Sequence, residues 1–294
     1  MSLRLLTATS AAALLIGGQA QAISVSPTTS ATDLVNNIVG SGVTVVGTPT
    51  LTAVDNQVGT FNGGGAEVGF GSGIVLSSGN INDIPGPNSN TGLPETRGSG
   101  VTNGEDINTS LGTSGDPGIA DSNDAAVLEF DFEFDGGLGG EVNFAFTFAS
   151  EEYVNFIDTQ FNDEFELLVD GVNLAVVGGD PVNINNINDL VNSDKYINNV
   201  ENTDGIPNAE LDISFDGLTT VLFAQSGPLG EGTHSAKFVV ADVADGLLDA
   251  GVFIQAGTFN PDNPDVVIPL PAGLPLLLTG LAGLGFMSRR RQRA

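Results

Sequence analysis

The chain has 294 residues, with 36 acidic residues against eight basic ones, one histidine, no cysteine and no tryptophan. Five of the eight basic residues (Arg4, Arg289, Arg290, Arg291 and Arg293) lie close to the two termini, so the stretch between them keeps three cations against 36 acids, a net −33. That charge excludes a nucleic-acid binder, which must meet phosphate with cations, and the lack of cysteine excludes disulfides and thiolate chemistry.

From the N-terminus, Arg4 is followed by an apolar stretch from Leu5 to Ile16, then Gly17-Gly18 and Ala20-Gln21-Ala22. These are the parts of a secretory signal helix over residues 1–22, with Ala20 and Ala22 as the small residues of a cleavage site after Ala22. Ser30-Ala-Thr-Asp33 then opens a short helix with Leu34, Val35 and Ile38 on one face and Gly40 as its stop. Val43 to Val46 and Leu51 to Val54 read as two strands separated by Gly47 and Pro49. After a glycine-rich stretch, Gly73 to Ser77 reads as a buried strand. Ile81 to Asp121 is long, polar and rich in glycine, asparagine and proline; a loop of this length is usually functional or disordered.

The clearest pattern follows. Leu128, Phe130, Phe132 and Phe134 alternate with Glu129, Asp131, Glu133 and Asp135, and Val142, Phe144, Phe146 and Phe148 alternate with Asn143, Ala145, Thr147 and Ala149. Period two on both sides of Asp135 to Gly140 predicts a β-hairpin with one phenylalanine face and an acidic, solvated opposite face. Burying eight such apolar side chains contributes roughly 1.5–3 kcal/mol each. Further strands are expected over Phe165 to Val169, Val172 to Val177, Leu211 to Phe215, Thr219 to Ala224, Ala236 to Ala241 and Ala250 to Ala256. Short antiparallel strands at this spacing predict an all-β fold, a two-sheet sandwich or jelly roll with a short N-terminal helix, over residues 23–264.

Residues 265–294 read as a separate tail. Ile268-Pro269-Leu270-Pro271-Ala272 leads into Gly273, an uncharged apolar run from Leu274 to Met287, and Arg289, Arg290, Arg291 and Arg293. About 20 helical residues span a bilayer core, so this is a predicted membrane helix with its arginines on the cytoplasmic side as a stop-transfer signal. The order of motif, helix and basic end resembles the VPLPA variant of PEP-CTERM surface-sorting tails, with Ile268 in the valine place. The resemblance implies an exosortase-type processing enzyme as partner, acting on a protein first held in the inner membrane. An ordinary membrane anchor is the alternative.

The folded part carries a second resemblance. Phe146-Thr-Phe-Ala-Ser-Glu-Glu-Tyr153, Phe161-Asn-Asp-Glu-Phe165 and Asp170-Gly171 resemble the choice-of-anchor L domain. In order along the chain, Gly73 to Gly79, Asn185-Asn186-Ile187-Asn188, Tyr196, Asp216-Gly217-Leu-Thr219, Ala241-Asp242-Val-Ala-Asp245, Asp249 and Val252-Phe-Ile254 fit the same pattern. Ala250 departs from it, where a serine is expected after the aspartate. The resemblance covers about residues 31–259. It implies a bacterial surface protein that occurs with various C-terminal anchors, and it implies no reaction.

Oxygen-rich loops next to strands suit Ca²⁺, which takes six to eight oxygen ligands. Glu151, Glu152, Asn162, Asp163, Asp242 and Asp245 are the candidate Ca²⁺ ligands. A hydrogen-bonded loop lock, with no ion, is the competing account, and solvation at high salt accounts equally well for most of the 36 acids. No catalytic residues are assigned: His234 is the only histidine, no nucleophile elbow is present, and paired carboxylates such as Glu151 and Asp163 arise by chance in so acidic a chain. Carbohydrate stacking would need exposed aromatics; Tyr153 is the best candidate, although a buried tyrosine with a bonded hydroxyl fits better. The function expected is a secreted, non-catalytic surface or matrix protein, in adhesion or matrix building, with extracellular polysaccharide or other surface proteins as partners and no nucleic acid. A secreted hydrolase acting on polysaccharide is the alternative.

Overall fold

The computed structural model describes residues 22–88, 122–200, 206–243 and 246–261. Ala20, Asp245, the motif Ile268 to Ala272, the apolar run after it and the four terminal arginines lie outside the described residues.

In chain order the elements are β1 (Ser24–Pro27), α1 (Ala31–Ile38), β2 (Val43–Thr52), β3 (Val58–Asn62), β4 (Ser72–Ser77), β5 (Ser122–Phe134), β6 (Asn143–Ser150) and β7 (Glu164–Val169). They continue with β8 (Val172–Asn173), β9 (Val176–Val177), β10 (Asp180–Asn183), β11 (Tyr196–Asn198), β12 (Gly217–Thr219), β13 (Leu222–Gln225), β14 (His234–Val243) and β15 (Ala250–Gln255). One sheet runs β1-β3-β4-β15-β6-β12-β11, with β13 also on β6; the other runs β2-β5-β14-β7-β10-β9, with β8 also on β7. The fold is the antiparallel two-sheet sandwich that the strand spacing predicts.

The expected hairpin is not one. β5 pairs with β2 and β14, whereas β6 pairs with β15, β12 and β13. The turn after Phe134 is therefore an arch that carries the chain from one sheet to the other. Gly136, Gly137 and Gly139 take positive φ values of 84°, 68° and 70° there, which glycine adopts without steric cost. Alternation says which side chains share a face; it does not say which strand lies alongside. The phenylalanine faces do belong to one core, meeting across it instead of side by side: Phe144 lies 5.8 Å from Phe238 and Phe146 lies 5.1 Å from Phe165 of the opposite sheet. The acids Glu129, Asp131 and Glu133 on the other face of β5, and Asp135 just after it, are exposed.

Phe259, just after β15, is the hub of this core. Its ring lies 5.2 Å from Phe130, 5.1 Å from Phe132, 6.4 Å from Phe144 and 6.2 Å from Phe238. The backbone around it is clamped by bonds from Gly40 N to Phe259 O (3.0 Å) and from Asn143 N to Asn260 O (2.9 Å). Helix α1 forms as expected: the Ser30 hydroxyl accepts from Asp33 N, and Leu34, Val35 and Ile38 are fully buried against the core.

Four strand expectations need correction. Val172 to Val177 divides into β8 and β9, and Thr219 to Ala224 divides between β12, which ends at Thr219, and β13, which starts at Leu222. The two strands expected between Val43 and Val54 are one, β2 (Val43–Thr52), with a register irregularity between Val46 and Thr50 that absorbs Gly47 and Pro49, and Ala53 and Val54 lie beyond it. Leu211 to Phe215 is irregular backbone. Its Ile213 and Phe215 join Phe61, Phe70 and Phe253 in a second apolar layer on the outer face of the first sheet. That layer explains why every residue of β6 is buried, on both faces.

Candidate functional site

Six strand ends converge at one end of the sandwich. In the first sheet β4 ends at Ser77, opposite Gly251, and β6 ends at Ser150, opposite Ala250 at the start of β15. In the second, Asp242 near the end of β14 lies opposite Asn123 at the start of β5, and Ala241 lies opposite Glu164 at the start of β7. The alternation that points Phe238 and Val240 inward continues to Asp242, so its carboxylate faces the interior. On β5 the inward set Leu128 and Ala126 continues to Asp124. Here the ladder slips by one residue between Val240 and Asp242, and Asp124 takes φ 52°. Such a bulge re-aims a side chain at a strand end.

The acids that meet here are buried. Asp163 is 0 % exposed, Asp242 1 %, Glu152 3 % and Asp124 6 %. Ser150 Oγ donates to Asp163 Oδ2 (3.0 Å) and accepts from Glu152 N (2.9 Å), while Asp163 N donates to Glu152 Oε2 (3.3 Å). Asp249 enters from the start of β15, its carboxylate filling the space where Gly79 lacks a Cβ; a Cβ there would sit 1.8 Å from Asp249 Oδ2. Asp249 O also accepts from Glu151 N (3.0 Å). Gln57, fully buried, ties the two sheets together beside the cluster: its Nε2 donates to Ser78 O (2.8 Å) and Asp124 O (2.6 Å), and its Oε1 accepts from Val54 N (2.9 Å).

This concentration of carboxylates is costly in charge. Burial, then Glu152 and Asp242, push the Asp163 carboxyl well above the usual carboxylate range. Burial, then Asp249, raise Asp242 in the same way, with Glu152 and Asp124 adding to the push and the Ser78 hydroxyl partly offsetting it. Asp163 Oδ1 and both oxygens of Asp242 have no hydrogen-bond partner. Next along β7, burial and then Glu166 push Glu164 up to about 8. Among the described residues, no three histidine or carboxylate side chains form a ready-made metal-ligand group.

Of the six candidate ligands, Glu152, Asp163 and Asp242 come together. Asn162 does not join them; its Oδ1 accepts from Asn185 N (3.1 Å) and holds a neighbouring loop. Glu151 is partly exposed at the edge, and Asp245 lies outside the described residues. Asp124 and Asp249 were not among the candidates. Asp124 precedes the visible alternation of β5, and Asp249 stands just before β15, where only the family pattern marked it.

Other polar features are satisfied within the fold. Tyr153 is fully buried, and its hydroxyl donates to Ile187 O (2.8 Å), so it is the bonded core tyrosine and offers no face to a sugar. Its ring lies on Gly217, where a Cβ would approach it to 2.6 Å. His234, at the opposite end of β14 from Asp242, holds Asp170 Oδ2 at Nδ1 (2.7 Å) and Gly230 O at Nε2 (2.9 Å), so both ring nitrogens are engaged by acceptors. Around Asn183 to Asn199 a set of buried amides caps loop backbone. Asn199 Nδ2 donates to Ile213 O and Phe215 O (3.0 Å each), and its Oδ1 accepts from Leu211 N (2.8 Å). An open groove of about 550 Å³ beside Tyr196 and Asn198 has one carboxylate, Asp189, in its lining. No helix among the described residues is long and apolar enough to cross a membrane.

The family model of the choice-of-anchor L domain matches residues 23–260. No curated protein and no solved structure matches the chain.

Proposed function

The chain belongs to the choice-of-anchor L family, and on that premise we propose that it is an exported, surface- or matrix-associated protein whose sandwich acts by binding and holding, not by catalysis. The observation that carries this reading is positional. The family match starts at residue 23, directly after the cleavage site expected at Ala22, and stops at residue 260, just ahead of the tail expected from residue 265. A domain bounded in this way by two addressing segments is built for delivery outside the cell. The tail would be recognised at Ile268 to Ala272 by an exosortase-type enzyme while its apolar run sits in the inner membrane. Adhesion or matrix building, with extracellular polysaccharide or other surface proteins as partners, is the work such a domain would do there.

The hydrolase alternative draws no support from the site. Glycoside hydrolysis needs two carboxylates facing each other across a space that admits a sugar. Asp163 and Asp242 are instead sealed between the sheets, and the open groove offers a single carboxylate. The test is mass spectrometry of the protein recovered from the cell surface or medium of the producing cell. An N-terminus at Ile23 and a C-terminus near Ala272 are expected. A mature extracellular chain that still carries Arg293 overturns the sorting reading.

A further inference from the structure

We propose that the inter-sheet space bounded by Asp124, Glu152, Asp163, Asp242 and Asp249 is a Ca²⁺ site that fastens one end of the sandwich. Three observations carry it independently of the overall acidity of the chain. First, the acids come from both sheets and from separate strand ends, β5, β6, β7, β14 and β15, so an ion there would join elements far apart in sequence. Second, Asp242 is 1 % exposed with neither carboxylate oxygen hydrogen-bonded, and Asp163 is 0 % exposed with Oδ1 unbonded. An ionised carboxylate only accepts, so such oxygens need a donor or a cation, and burying them without either is strongly unfavourable. Third, the described lysines are engaged elsewhere. Lys195 pairs with Asp194 on the surface (3.0 Å), and Lys237 lies opposite Glu129, on the exposed face of the second sheet.

The donor chemistry selects the ion. Every candidate ligand is an oxygen, from carboxylates and from the Ser78 and Ser150 hydroxyls, with no imidazole or thiolate. That set suits a hard cation, and Ca²⁺ accepts irregular carboxylate shells more readily than Mg²⁺. Since no ligand group is preassembled, binding would draw the unbonded oxygens of Asp163 and Asp242 onto the ion, with water completing the shell. Gln57 holds Ser78 and Asp124 in place through their backbone carbonyls and keeps the two sheets in register around the site.

The experiment uses the full chain in detergent, stripped with chelator and melted at one high ionic strength with and without Ca²⁺. High salt removes general screening as an explanation. At a hundredfold excess over Kd, the melting temperature of the wild type should rise by roughly 5–10 °C. The increment should vanish in Asp242→Asn and Asp163→Asn and survive in Asp131→Asn, which alters only the exposed face. Calorimetric titration should find one ion per chain, with affinity at least about tenfold weaker in Asp249→Asn, a partly exposed position chosen in case the core variants fail to fold. The proposal is overturned if Ca²⁺ adds nothing beyond salt, if all three core and surface variants keep or lose the increment equally, or if Asp249→Asn binds as the wild type does. Each outcome is independent of tail processing.

Discussion

Asn199 and Asp242 are side chains of nearly the same size and shape, 2 % and 1 % exposed, in two regions of one fold. Asn199 makes three hydrogen bonds, giving its two protons to the Ile213 and Phe215 carbonyls and taking one from Leu211 N. Asp242 makes none. The amide region around Asn183 to Asn199 is closed, because an amide carries both donors and an acceptor and can satisfy irregular backbone by itself. The acid region brings acceptors together, and its satisfaction must come from a proton or a cation. One region therefore acts as internal scaffolding, while the other remains open to chemistry from outside the chain.

Both regions hang on the phenylalanine core, which sets the scale against which they are judged. Phe146→Ala or Phe148→Ala should cost about 3–5 kcal/mol, because rings 1 % and 0 % exposed between two sheets leave a cavity that cannot collapse. The loss should be the same with chelator as with Ca²⁺. Urea unfolding in both conditions measures it, and near-wild-type stability would mean that the inward face is wrongly assigned.

The comparison itself breaks or holds on a reciprocal exchange. Asn199→Asp places an acceptor against two carbonyls and should destabilise by about 3 kcal/mol. Asp242→Asn removes a buried carboxyl whose charged form is penalised by burial and by Asp249, Glu152 and Asp124. In chelator at neutral pH it should stabilise by about 1–2 kcal/mol, although it should abolish the Ca²⁺ increment. Opposite signs in chelator sharpen the contrast; equal signs would show that the two regions are satisfied in the same way.

The smallest effect expected is at the other end of β14. Burial lowers the His234 pKa, but the Asp170 carboxylate and the Gly230 carbonyl outweigh it and leave the imidazole above its ordinary value. Asp170 is opposed by burial yet held below its ordinary value by Ser235 N–H and His234. A histidine raised on folding contributes stability that is fully present below its unfolded pKa, about 6.5, and is lost as pH rises through its folded value. The Asp170 contribution is present above the unfolded carboxylate value and is lost as pH falls through its lowered one. His234→Gln should therefore cost more at pH about 5.5 than at pH about 8.5. With Asp170 side chain 42 % exposed, screening keeps the difference below about 1 kcal/mol. Melting curves across that range would show it, and a pH-independent cost would mean that the pair is neutral throughout.

How much of this was legible in the sequence depends on what repeats. Period two exposes the faces of β5 and β6 because every second residue obeys it. Pairing leaves no such mark, so an arch between sheets reads as a hairpin. Glu152, Asp163 and Asp242 are visible as acids where apolar strands stop. Asp124 is hidden because Asn123 to Val127 lacks alternation and because a bulge decides where its carboxylate points. Asn162 looks like its neighbour Asp163, yet one residue of register sends it to the Asn185 loop. The run Asn185 to Asn188 is visible only as part of the family pattern, and nothing in the sequence marks Asn199, whose lock depends on the carbonyls of Ile213 and Phe215 that only the folded chain brings near.

Phe259 has a mechanical consequence. It is fully buried and stands two residues before the last described position, Pro261, so tension transmitted from beyond that point meets first the Asn260–Asn143 bridge and directly behind it this ring. The ring is seated among Phe130, Phe132, Phe144 and Phe238, drawn from both sheets. Its backbone is bridged in parallel to Val39, and the next residue, Asn260, is bridged antiparallel to Asn143. A tug on the tail is thus spread over both sheets at once, and yielding requires the barrier to global unfolding to be crossed. A protein tethered by its C-terminus in moving fluid would be held at an aromatic contact shared by both sheets.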